Sequence, residues 1–92
     1  MTNDDRKILR RAIHCYGRDA QLKVLLEEMA ELQQVICKTW RGDIDHAHIA
    51  EEIADVEIML EQTRMIFDID SLVQEYQRAK LDRLERRLEG GE

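Results

Sequence analysis

A chain of 92 residues with no proline, four glycines and a formal charge of −6 has room for one hydrophobic core and not for two. Its 43% hydrophobic content beside 37% charged residues is too apolar for a disordered acidic chain, and no apolar run approaches the roughly 18 residues of a membrane span. The acidic balance argues against nucleic acid as a main partner, although Arg6, Lys7, Arg10 and Arg11 form one basic cluster and Arg78 to Arg87 another. Abundant Leu, Glu, Arg and Gln predict an all-α fold with residues 1–92 as one domain. Acidic residues at the N-terminus, where a secretory signal would be basic, predict a cytoplasmic location. Two cysteines, Cys15 and Cys37, are too few for a disulfide scaffold and read as reduced packing residues. A chain this short buries only about two thirds of its unfolded surface, so at least a dimer is expected.

The first helix is predicted from about Asp4 to Cys15, with Ile8, Leu9, Ala12, Ile13 and Tyr16 on one stripe and Gly17 as its stop. Asp19 is the expected cap of a second helix running to Thr39. Its stripe is Leu22, Leu25, Leu26, Met29, Leu32 and Ile36. A third helix spans about His46 to Phe67 with Ile49, Ile53, Val56, Leu60 and Phe67 in register, and this stripe is expected to pair with the second helix. The short connection from Trp40 to Asp45 predicts that the two double back as an antiparallel hairpin. Ser71 and Gln74 read as a capping box for a last helix, with Val73, Tyr76, Lys80, Leu84 and Leu88 on one side and Gly90 and Gly91 at its end.

Four carboxylates stand beside the apolar stripes. At 100° per residue, Glu52 falls about 60° and Asp55 about 120° from the centre of the third helix's stripe, with Met59 and Ile66 continuing that edge. Glu28 falls about 90° from the second stripe, and Glu31 further round. Each i, i+3 pair has Cβ atoms about 5–6 Å apart and can aim two carboxylates at one point. Like charges at 4 Å repel by roughly 4 kcal/mol at an effective dielectric near 20, so convergence implies protonation or a bound cation. All-oxygen ligands suit magnesium, which is commonly shared with substrate phosphates. The bland reading makes Glu27, Glu51, Glu57 and Glu61 solvated charges paired with nearby bases, and these four are assigned to it.

The sequence Glu-Glu-Met-Ala-Glu at 27–31, followed by Glu-Glu-Ile-Ala-Asp at 51–55, resembles the paired E-x-x-E and E-x-x-D signature of the MazG-like nucleoside triphosphate pyrophosphohydrolases. The resemblance spans the second and third helices. It implies an all-α helical bundle assembled as a homodimer or homotetramer, with Mg2+, or Mn2+ in its place, held by Glu28, Glu31, Glu52 and Asp55. It also implies hydrolysis of an NTP or dNTP to monophosphate and pyrophosphate. Relatives carry a lysine followed four residues later by asparagine as phosphate contacts. Here Lys80 is followed by Leu84, and Arg83 and Arg87, at i+3 and i+7 on the same face, are the candidate replacements because guanidinium grips phosphate bidentately, the alternative being ordinary salt-bridging bases on a terminal helix. Glu31 is taken as the proton acceptor. The alternative from another class is a non-catalytic oligomeric interaction module whose acidic edge meets a basic partner.

Other residues carry less. Trp40 is a candidate for base stacking, but packing over the end of the hairpin is the stronger expectation. Arg41 is a further phosphate contact in reserve. His46 and His48 diverge on a helix and are assigned no metal. His14 beside Cys15 lacks an orienting third group for nucleophilic catalysis. Met29, Met59 and Met65 are read as adaptable core.

Overall fold

The computed structural model describes residues 1–90, and among these it is all-helical: α1 (Asn3–Tyr16), α2 (Arg18–Thr39), α3 (His46–Phe67) and α4 (Asp70–Leu88), with no strand. Local chemistry sets the boundaries. Thr2 opens α1 with a reciprocal cap, its hydroxyl accepting from the Asp5 N–H and the Asp5 carboxylate accepting from the Thr2 N–H, both at 3.0 Å. Thr2 holds the Asp5 carboxyl below its ordinary range. Gly17 ends α1 as expected, at φ 92° and ψ 152°, a conformation essentially restricted to glycine. It also begins α2 directly, so Asp19 lies inside the first turn and is not the cap. Asp45 caps α3 through Oδ1, which accepts from the His48 N–H at 3.0 Å.

The expected Ser71 cap is also overturned. Asp68 ends α3 in the left-handed region at φ 53°, which a short polar side chain tolerates. Arg64 then reaches Asp70 Oδ1 at 3.1 Å, pinning the first residue of α4 to α3 and holding the Asp70 carboxyl low. The helix has therefore started before Ser71, and Gln74 donates to Asp70 Oδ2 at 2.7 Å instead. Gly90 follows the helix as expected; Gly91 lies outside the described residues.

The centre of the fold is α3, which packs on α2, α1 and α4, while α1 also touches α2. Arg6 on α1 ties to Glu61 on α3 at 2.9 Å, so Glu61, expected to be solvated, is half-buried in an ion pair between helices. Gln62, buried beside it, donates weakly to the Leu9 carbonyl at 3.4 Å. The Arg18 guanidinium sits 4.9 Å from the centroid of the Phe67 ring, joining the start of α2 to the end of α3. Arg6→Met should strip Glu61 of its partner and cost about 1–2 kcal/mol, read as a lower Tm, with Glu61→Gln in the same chain recovering part of the loss. An unchanged melt would mean that the pair contributes nothing.

The seam between α2 and α3 differs from the stripes predicted for it. Buried or half-buried positions include Gln21, Leu22, Val24, Leu25, Glu28, Leu32 and Val35 on α2, and Ile49, Glu52, Val56 and Met59 on α3, while buried Gln62 is bonded to α1. Leu26, Met29 and Ile36 of the predicted α2 stripe are exposed, as are Ile53, Leu60 and Phe67 of the α3 stripe. Each helix has turned its carboxylate edge toward the other and left part of its apolar stripe uncovered. On α1, Ile8 and Tyr16 are likewise open, and α4 buries no residue, with Tyr76, Leu84 and Leu88 exposed.

The chain is correspondingly extended. Its radius of gyration is 16.3 Å against about 12 Å for a compact chain of this length. It exposes 7272 Å², about 1,700 Å² more than a compact 10.9 kDa monomer. Among the described residues, no helix is long and apolar enough to cross a membrane.

Candidate metal centre

Where the edges of α2 and α3 meet, carboxylate oxygens of Glu28, Glu31 and Glu52 lie within 4.8 Å of one another. A second group, Glu51, Glu52 and Asp55, meets the same limit, so the two groups share Glu52. The i, i+3 spacing brings each pair to one side of its helix, and the α2–α3 contact brings one pair to the other. All four carboxylates singled out in the sequence fall in these groups. Glu51, assigned there to solvent, belongs beside Glu52 and Asp55 while remaining exposed.

Glu52 is only 5% exposed. One of its oxygens, Oε1, lies 3.2 Å from His48 Nε2, one helical turn earlier on α3. The other, Oε2, is buried without a hydrogen-bond partner, and so is Oε2 of Glu28 on the facing helix. Unpaired buried polar atoms cost about 1–3 kcal/mol each, more for charged groups, so these oxygens call for a proton, a water or a cation. The electrostatics agree in direction. The Glu28 carboxyl is pushed up to about 7, by burial first and then by the charges of Glu31, Asp55 and Glu52. Glu52 is also raised, again by burial first and then by Glu31 and Asp55, while the His48 contact pulls it the other way. At neutral pH the cluster therefore holds a proton or an equivalent positive charge. Two groups of three carboxylates that share Glu52, with unpaired buried oxygens on Glu28 and Glu52, offer hard oxygen donors of the kind that suit a divalent cation such as Mg2+ or Mn2+.

The remaining candidates lie elsewhere. Lys80 and Arg83 line a shallow groove on α4 with Tyr76, Ala79 and Arg86. Since α4 packs on α3 and not on α2, a single chain does not bring these bases to the α2 carboxylates. Trp40, at the C-terminal end of α2, is 81% exposed, which overturns its expected packing over the end of the helix pair. Arg41 lines an outer groove of α2 with Ala30, Gln33, Gln34, Cys37 and Lys38. Cys15 and Cys37 are exposed thiols and not packing residues. Of the methionines, Met59 is core and Met65 half-buried, but Met29 belongs to the uncovered face of α2.

Sequence reasoning missed two participants, Glu51 and His48. Both left a signal: Glu51 adjoins Glu52, and His48 precedes Glu52 by the four residues that place side chains over one another on a helix. Comparison with known proteins gave no match, whether to a family model, to a curated protein or to a solved structure.

Proposed function

We propose that this chain is a MazG-like, magnesium-dependent hydrolase that cleaves a nucleoside triphosphate, NTP or dNTP, to monophosphate and pyrophosphate. The observation that carries the reading is Glu52: a carboxylate nine-tenths buried, with a free oxygen inside a cluster that also draws Glu28 and Glu31 from a second helix. A solvated acidic face would leave such oxygens in water. In this reading Glu28, Glu31, Glu52 and Asp55 hold the cation. A bound Mg2+ supplies neutralisation of the triphosphate charge and acidification of water. Glu31, the exposed member of its group, accepts the proton as water oxygen bonds to the α-phosphorus and the bond to the bridging oxygen breaks. Pyrophosphate leaves, and Lys80 and Arg83 offset its charge in the assembled protein. Trp40, exposed, is free to stack on the base.

Assembly is part of the proposal. The surplus surface of about 1,700 Å² falls within the roughly 1,000–2,500 Å² that each partner buries in an obligate homodimer. Leu26, Met29 and Ile36 with Ile53, Leu60 and Phe67 supply the apolar faces, so two α2–α3 hairpins pairing through them make a helical bundle, as a homodimer or homotetramer. Replacing both Leu26 and Leu60 with Glu should shift the sedimenting species to monomer; wild-type protein that is already monomeric at micromolar concentration would remove the bundle.

The chemistry is tested by incubating folded protein with each NTP and dNTP and Mg2+. Monophosphate and pyrophosphate should appear in equal amounts without orthophosphate, and no release from any of them would sink the enzyme assignment. The uncovered apolar faces also suit the second reading, a non-catalytic interaction module. It predicts assembly without saturable, carboxylate-dependent heat on titration with Mg2+.

A further inference from the structure

The cluster has a histidine that none of the roles above uses. His48 is on the first turn of α3, its own N–H taken by the Asp45 cap, and its imidazole Nε2 stands 3.2 Å from Glu52 Oε1. A carboxylate on a flexible stem can turn either oxygen toward a ligand, or swing away. Here one oxygen is occupied from the His48 side and the other is left buried and unpartnered, in a carboxylate that has an oxygen within 4.8 Å of Glu28 and Glu31 oxygens. The imidazole itself is not among the grouped ligand atoms. It is half exposed, so its packing contributes little and its place is set by the helix spacing of four residues.

We propose that His48 is a positioning residue: by donating from Nε2 to Glu52 Oε1 it fixes the carboxylate so that Oε2 faces the cation site. This inference rests on the metal reading of the cluster. Outer partners of this kind orient metal ligands, and their loss typically costs 10–100-fold in metal affinity. Because the cap is made by the backbone of His48, replacing its side chain leaves the start of α3 intact. Glutamine carries an N–H donor at a comparable reach and can stand in for the imidazole; alanine cannot.

The test is titration of the full chain with Mn2+ followed by electron paramagnetic resonance, and with Mg2+ by calorimetry, for wild type, His48→Ala and His48→Gln, with melting curves of each in chelator. His48→Ala should bind the metal 10–100-fold more weakly with a melt close to wild type, and His48→Gln should recover most of the affinity. The Mg2+ concentration for half-maximal turnover should shift by the same factor, with the rate at saturating metal much less affected. If wild type binds and His48→Ala binds equally well, or if glutamine is as weak as alanine, the positioning role is wrong while the metal site stands. If wild type binds no metal at all, the reading of the cluster falls and this inference with it.

Discussion

Glutamine in place of Glu52 should abolish divalent-cation binding and pyrophosphate release, and should raise the Tm of the metal-free protein at pH 8. The two effects have opposite signs because they come from one cause. The carboxylate is buried among like charges, which push its ionisation upward, so without a cation it is a cost to the fold. An amide of the same shape removes the charge, keeps an acceptor for His48 and fills the same space. The loss of function should be at least about 100-fold, the upper end of what a mere outer partner of a metal costs. Circular dichroism and chelator melts confirm the fold, and a pyrophosphate assay gives the rate. A variant that turns over at the wild-type rate would remove Glu52 from the site. One that is inactive and less stable than wild type would mark it as a structural residue instead.

The second large effect is a dependence of stability on pH that magnesium cancels. Glu28 ionises near 7 in the folded chain against a reference of 4.5. Between these values the native state keeps a proton that the unfolded chain releases, so the stability associated with this group is present below about pH 4.5 and is lost as pH rises through 7. Asp5 and Asp70 act in the other direction, since Thr2 and Arg64 hold them low and their contribution is lost only in acid. In chelator the Tm should therefore peak in mildly acidic buffer and decline toward pH 8. A cation replaces the proton, so Mg2+ at about 100 times its Kd should add about 2.7 kcal/mol, worth on the order of 10 °C in a chain of this size. Binding at pH 6 should release a proton, visible as a calorimetric heat that varies with the buffer. Glu28→Gln should flatten the decline and abolish the magnesium effect. A metal-free Tm that rises steadily to pH 8 would contradict the raised Glu28.

The four carboxylates were legible because a helix repeats, and E-x-x-E and E-x-x-D put both members of a pair on one side whatever else the chain does. Their angular position beside the stripes was read correctly; its meaning was not. The amphipathic pattern of α2 and α3 marks surfaces that need covering but does not say by what. Leu26, Ile36, Leu60 and Phe67 were expected in the seam between these helices and are exposed, with Glu28 and Glu52 nearer the seam. Periodicity measures apolar angle on one helix alone. Which flank of a wide stripe meets the neighbouring helix depends on the other surfaces competing for it, a property of the assembled pair.

Caps show the same division at smaller scale. Gly17 could be placed from sequence as the stop of α1, since its role depends on local backbone conformation, whereas Asp45, which caps α3 through neighbours within three residues, was not singled out there. Ser71 was misread because the start of α4 is fixed by Arg64, whose ion pair with Asp70 crosses from another helix. Glu61 was taken for a solvated charge for the same reason: its partner Arg6 lies fifty-five positions away.

Four helices, their approximate limits and the candidate ligands follow from spacing along the chain, where each residue's neighbours are the ones three and four positions distant. The burial of Glu52, the elevation of Glu28 and the remoteness of Lys80 and Arg83 from the α2 carboxylates arise only when separate helices meet. Desolvation and charge repulsion depend on distances through space, and those distances do not exist until the chain has packed.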